Sequence, residues 1–208
     1  MSVTDILEAV VVFNKVAVVE NVKIAIDSGI SIDDILNKGL IGAMDVVGEK
    51  FSSGEIFVPE MLQAAKAMQE GLEVLKPHLE SDALMEKGTV IIGTVKGDLH
   101  DIGKNLVTMM VEGAGFNVID LGVDVDTEKF VSEAQAYNAD VVCLSALLTT
   151  TMPVMAKTVE AFKEAGLKAK TIIGGAPVTN AYAQQIGADG FSDNAPGAVE
   201  LIRKLVAA

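Results

Sequence analysis

Four residues in the stretch KGDLHDIGKN, residues 96–105, have types and spacing that can do chemistry: Asp98, His100, Asp101 and Gly103. The stretch follows an apolar run, GTVIIGTV, that reads as a buried strand. An imidazole two residues from a carboxylate can serve as a base or as a metal ligand. The chain has only one other histidine, His78, and that one sits beside Pro77 near a helix end, where it reads as a solvated terminus residue. Asp98, His100 and Ser145 are the residue types of a nucleophilic triad, yet Ser145 does not lie in a G-x-S-x-G elbow. One histidine, one distant Cys143 and scattered acids give weak support for zinc. Neither G-x-G-x-x-G nor a P-loop lysine follows the first strand. A single soft ligand suits a metal that brings most of its coordination with it. In a macrocyclic cofactor the ring supplies the equatorial nitrogens and the protein supplies an axial histidine. Asp98 would then hold the other imidazole nitrogen and raise the basicity of the ring. Gly103 would let a bulky ligand pass close to the backbone where the next helix begins.

The elements that must position these residues fall into two halves. The first 80 or so residues read as successive helices. DILEAVVVFNKVAVVENVKIAIDSG reads as one helical run ending at Gly29. Ser31 is an N-cap for SIDDILNKGLIGAMDVVGEKF, with Asp33 and Asp34 in its first turn. SSGE breaks that helix, and Pro59 suits the first turn of a third, VPEMLQAAKAMQEGLEVLKPHL. The result is an N-terminal all-α helical bundle, residues 1–87. A polar connector, SDALMEKG at 81–88, links it to the rest.

After the connector, short apolar runs alternate with amphipathic stretches, giving five strands, each followed by a helix. Near-continuous Val/Ile runs indicate a five-stranded parallel sheet with helices on both faces, an α/β Rossmann/flavodoxin-like domain over residues 88–208. Ligands of such sheets bind beyond the carboxyl ends of the strands. KGDLHDIGKN lies at that edge after the first strand, ALLTT after the third and GGAPVTN after the fourth.

Composition narrows the function further. Half of the 208 residues are hydrophobic, so a sizeable core is available. A net charge of −13 would repel a phosphate backbone, and 4% aromatic residues with no Trp leave no stacking platform, so nucleic acid is not an expected partner. One cysteine excludes an internal disulfide, and Cys143 reads as a small buried hydrophobe. No apolar run reaches the length of a membrane span and no signal-like segment opens the chain, so a cytoplasmic protein with no membrane partner is expected. Lys96, Lys104 and Asp101 around the motif read as surface charges.

GDLHDIG matches the D-x-H-x-x-G signature of cobalamin-binding domains. Ser145-Ala146-Leu147 matches the family's S-x-L after the third strand, and Gly174-Gly175 its G-G after the fourth. The first half, above all GAMDVVGEKFSSGEIFVPEMLQAAKAM, resembles the helical cap of the same proteins. The chain is most similar to the small corrinoid proteins of anaerobic methyltransferase systems and to the cobalamin-binding region of methionine synthase.

That resemblance implies cobalamin or a related corrinoid, bound base-off and His-on, with His100 as the lower ligand of cobalt. Asp98 accepts the hydrogen bond of His100, and a hydroxyl, best aligned with Thr151, continues the relay. Ser145, Leu147 and Thr149 fall at contacts of the nucleotide tail, Gly174 and Gly175 line its slot, and Ala195 in SDNAPG falls near another tail contact. Leu99, Asp101 and Gly103 flank the ligand. In the cap, Phe51 and Val58 align with apolar residues over the upper corrin face, although as plain sequence both read as bundle core.

The implied activity is that of a methyl carrier. Cobalt(I) takes a methyl group from a substrate-specific corrinoid methyltransferase, and a second methyltransferase passes it to tetrahydrofolate or a thiol. Methoxylated aromatics, methylamines and methanol are the donor classes. A reductive activator would restore oxidised cobalt, the connector at 81–88 would act as a hinge, and the family leaves room for a homodimer. Cap and cobalamin domain also occur together in cobalamin-dependent sensors and regulators. Those carry an added DNA-binding region, and this chain shows no basic helix-turn-helix segment.

Overall fold

The computed structural model describes residues 2–78 and 87–207. The chain falls into two compact units, the first holding Met1–Glu86 with Gly113–Gly115 and the second Lys87–Glu112 with Phe116–Ala208. The expected hinge within 81–88 lies almost wholly outside the described residues.

The first unit is helical. Its opening run is not one helix but two, α1 (Val3–Val11) and α2 (Lys15–Asp27). Phe13 takes a left-handed φ of 63° and Asn14 accepts from the Ala17 N–H at 3.1 Å, so the chain is re-capped where hydrophobic periodicity alone runs through. Ser31 caps α3 (Ile32–Asp34) by accepting from the Asp34 N–H. That turn leads into a π-helix, Ile35–Ile41, and then α4 (Gly42–Ser52). The long helix α5 (Val58–Leu75) comes next, with Pro59 in its first turn and the Glu60 carboxylate reaching back to the Phe57 N–H at 3.0 Å. Ile6, Val18, Val22, Ile35, Leu40, Met61, Met68 and Leu75 are fully or almost fully buried and make up its core.

The second unit alternates strand and helix: β1 (Thr89–Thr94), α6 (Ile102–Gly113), β2 (Asn117–Asp120), α7 (Thr127–Ala136), β3 (Val141–Ser145), α8 (Met152–Glu164), β4 (Lys170–Gly174), α9 (Asn180–Ile186), β5 (Gly190–Ser192) and α10 (Ala195–Val206). The sheet is parallel throughout, in the order β2-β1-β3-β4-β5. β1 is buried at every position, as expected of a central strand covered on both faces. Ile91, Phe130, Val142, Leu144, Met155 and Ile173 form the heart of one face's core.

The direction of winding reverses between β1 and β3, the place in such sheets where ligands bind. Register places Thr94 opposite Ser145, Ser145 opposite Gly174, and Gly174 opposite Ser192, a row along the carboxyl edge. No helix among the described residues is long and apolar enough to cross a membrane.

Candidate functional site

The loop after β1 is held by hydrogen bonds within the chain. The Val95 N–H donates to the Ser145 carbonyl at 3.0 Å, and Val95 bridges Val125. The Asp98 N–H turns back to the Val95 carbonyl at 3.1 Å. On the outer side the Asp124 carboxylate takes the Gly97 N–H at 2.8 Å, and the Asp124 N–H donates to the Asp98 carbonyl. Residues 96–98 are therefore clamped between β3 and the segment after β2, which leaves Leu99 and His100 little freedom to be re-aimed.

Asp98 is fully buried, and both of its oxygens are occupied. Oδ1 accepts the His100 N–H at 3.1 Å and meets His100 Nδ1 at 2.6 Å. Oδ2 accepts from the Leu147 N–H at 2.8 Å, the Leu148 N–H at 3.2 Å and the Thr151 hydroxyl at 2.8 Å. Burial opposes the charged form, but the hydrogen bonds from His100, Leu147 and Thr151 outweigh it, and the carboxyl is held far below the ordinary carboxylate range. An ionised carboxylate has no proton to give, so Nδ1 of His100 must be the donor. Nε2 is then the lone-pair nitrogen of the neutral ring. The imidazole is half exposed, and its backbone carbonyl is held by the buried Thr94 hydroxyl at 2.8 Å.

Thr151 stands at the N-cap position of α8 but makes no side-chain cap. Its hydroxyl instead reaches Asp98 and, at 2.8 Å, the Leu148 carbonyl. Ser145, the other hydroxyl considered for a triad, closes β3 half-buried and lends its carbonyl to Val95.

The remaining residues of interest divide clearly. Thr149 is exposed on the loop from β3 to α8, and Leu147 projects from the same loop. Gly174 ends β4, and a Cβ there would lie 3.0 Å from the Ser192 carbonyl oxygen. Gly175 has a φ of +126°, and a Cβ would fall 1.9 Å from the Ala146 carbonyl oxygen, so the loops themselves demand glycine here, ligand or no ligand. Ala195 opens α10 and is buried. Asp101 is exposed just before α6 and takes the Asn105 side-chain amide at 3.1 Å. Phe51 and Val58 belong to the helical unit. Phe51 is half-buried near the end of α4, whereas Val58 is exposed at the start of α5 and so is not bundle core. His78 is exposed, and Cys143 is buried, with burial pushing its thiol up to about 12.

Lys104 departs from the reading as a surface charge. It is buried, held by Asp120 and by Asn105 Oδ1. A carboxylate at the end of β2 supplies the counter-charge that makes the burial tolerable. Lys96 does lie at the surface, between Asp124 and Asp126. The Leu147 and Leu148 N–H donors, Thr94, Ser192 and the exposed Ile102 were not identified from sequence. Backbone donors carry no residue signature at all.

Among the described residues, no group of three or more His, Cys, Asp or Glu side chains could hold a metal ion. A lone oriented imidazole therefore suits a metal that arrives with its own equatorial ligands. The surroundings fit such a group. A Cβ on Gly103 would meet nothing within 4 Å, so open space lies beside the first turn of α6. Leu99, Ile102, Leu147 and Leu148 are all exposed apolar side chains, each within two residues of His100 or bonded through its backbone to Asp98. These are exposed apolar side chains close to one oriented imidazole.

Family models described as B12 binding domain match residues 88–202 and residues 3–76. A dimethylamine corrinoid protein of Methanosarcina acetivorans is 45% identical, covering 84% of this chain and 83% of the relative. A corrinoid protein of Desulfitobacterium hafniense is 40% identical over 99% of this chain and 98% of its own. Among solved structures, a methanol:cobalamin methyltransferase complex of Methanosarcina barkeri matches 99% of this chain and 80% of its own, with a TM-score of 0.89 at 31% identity. A lone imidazole set by a buried carboxylate at the switch point of a parallel sheet, preceded by a helical unit that the second B12 model matches, is the setting in which these likenesses fall, and the chain belongs to the B12-binding family of corrinoid proteins.

Proposed function

We propose that this chain is a corrinoid methyl carrier with His100 as the protein's ligand to cobalt. The observation that carries the reading is the Asp98 carboxylate, fully buried and fixed by five hydrogen bonds, which aligns one half-exposed imidazole and commits its Nδ1 to a proton. When bound, the corrinoid supplies a cobalt centre that accepts a methyl group and gives it up again.

The chain's own residues have narrower tasks. His100 would offer Nε2 to the metal, and Asp98 holds its Nδ1 across the 2.6 Å contact. Thr151, Leu147 and Leu148 keep Asp98 ionised and in place. Gly103 leaves room beside the ligand, flanked by Leu99 and Asp101. Ser145, Thr149, Gly174, Gly175 and Ala195 bound the path of the nucleotide tail along the carboxyl edge.

Relatives named for dimethylamine and trimethylamine, and a fold neighbour in a methanol:cobalamin methyltransferase complex, support a methyl donor of the methylamine or methanol class. A substrate-specific methyltransferase would load the carrier, and a second would unload it to tetrahydrofolate or a thiol. A reductive activator would return the cofactor to use.

The test is reconstitution with the corrinoid, wild type beside His100→Ala. The wild-type cobalt(II) form should show spin-resonance coupling to a protein nitrogen, and the variant should bind the cofactor but lose that coupling. An unchanged spectrum in the variant overturns the ligand assignment. Failure of the loaded wild type to exchange methyl groups with any methylamine or methanol methyltransferase overturns the carrier reading.

A further inference from the structure

Lys104 is the one lysine found buried in the second unit among the described residues. An ammonium taken out of water costs several kcal/mol unless it is paired with good geometry, so its placement calls for an account. Lys104 is the third residue of α6, four positions after His100. Its amine contacts Asp120 Oδ2 at the end of β2 and Asn105 Oδ1 at 2.6 Å. Asp120 Oδ1 accepts the Gly122 N–H at 2.9 Å. The Gly122 carbonyl accepts the Thr94 N–H at 2.9 Å, and the Thr94 hydroxyl donates to the His100 carbonyl at 2.8 Å. The ring closes on itself: from His100 along the chain to Lys104, across to Asp120 and Gly122, back through Thr94 to His100. Asn105 adds a second stitch, its N–H on the Asp101 carbonyl at 2.7 Å and its amide on the Asp101 carboxylate.

Asp98 fixes the direction of the imidazole ring and takes the His100 N–H. The Lys104–Asp120 ring adds a second hold on the backbone that carries it, because it ties the first turn of α6 to the edge of β2, and its Thr94 link ties the His100 carbonyl to β1. We infer that Lys104 and Asp120 are positioning residues that set the reach of His100 toward the bound metal, and so the balance between the coordinated and released imidazole. The inference rests on the reading of His100 as the cobalt ligand. Neither residue touches the imidazole, so they act through the backbone.

The experiment uses the full chain reconstituted with corrinoid, comparing wild type, Lys104→Met and Asp120→Asn. Lys104→Met is the gentler change, because the Asp120 side chain it orphans is one-third exposed and can be hydrated. Three quantities are read: the fraction of cobalt(II) carrying protein-nitrogen coupling, the cofactor dissociation constant and the urea midpoint. The expected result is a fall of about 10- to 100-fold in the coordinated-to-released ratio of the folded holoprotein, the size seen when groups behind a metal ligand are removed. Cofactor stoichiometry should be kept. Asp120→Asn retains the Gly122 bond and should show a smaller fall. If both variants keep the wild-type ratio and only lower the urea midpoint, the pair is merely structural and the inference fails. If wild type itself shows no nitrogen coupling, the ligand assignment fails instead.

Discussion

At the residue scale the site is a buried carboxylate with five donors. Asp98→Asn would turn an amide NH₂ toward groups that already donate. At least one buried donor would lose its acceptor, at a cost of about 1–3 kcal/mol read as a lower urea midpoint at neutral pH. The pH dependence comes from the direction of the shift. The folded carboxyl is depressed below its ordinary value of 3.8, so the unfolded chain takes up a proton first as pH falls. The Asp98 contribution is therefore complete above that ordinary value and is lost as pH drops toward the folded one. The stability gap between wild type and Asp98→Asn should stay level from neutral pH down to about 4 and narrow below it. A gap that widens in acid would contradict this. Cys143, buried with its thiol pushed up to about 12, should resist alkylation in the native protein and react on unfolding. Part of this scale was legible in the sequence: Asp98 and His100 have types and an offset that imply their pairing, whereas Thr151 was reached only through the resemblance to cobalamin-binding domains. The burial of Lys104 was not, because a lysine beside an exposed motif looks like surface charge, and its partner Asp120 is sixteen residues away in another element.

At the element scale two glycines near the site make opposite predictions. Gly175 combines a φ of +126° with an Ala146 carbonyl oxygen 1.9 Å from where a Cβ would stand. Gly175→Ala should cost about 3 kcal/mol or more, visible as a lower thermal midpoint of the apoprotein. Gly103 has open space and sits in the first turn of α6. Gly103→Ala should leave the apoprotein as stable or about 0.5–1 kcal/mol more so, while weakening corrinoid binding. Unchanged affinity in that variant would show that nothing approaches the backbone there. Strand and helix alternation in the second unit was readable because buried parallel strands are uninterrupted Val/Ile runs. The α1–α2 break was not, because its apolar spacing continues through Phe13 and only Asn14 marks a new cap. Nor was the π-helix at Ile35–Ile41, whose wider turn has no distinct residue pattern.

At the scale of the whole molecule, both tyrosines, Tyr137 and Tyr182, lie in the second unit and there is no Trp. Tyrosine fluorescence therefore reports on one unit, and far-ultraviolet circular dichroism on both. Two compact units with cores of their own should give urea transitions that do not superimpose in the apoprotein. Coincident transitions would mean that the units unfold as one. The sheet order also has a bearing on how the protein is made. Because β1 lies beside β3, His100 and its fixing group Asp98 are completed by Leu147, Leu148 and Thr151, which stand 49, 50 and 53 residues further on from Asp98. On the ribosome the His100 imidazole emerges well before the segment that steadies it. A nascent chain stalled before β3 would carry His100 and Asp98 without the donors that fix them, and the site is complete only once the third strand has been threaded into place.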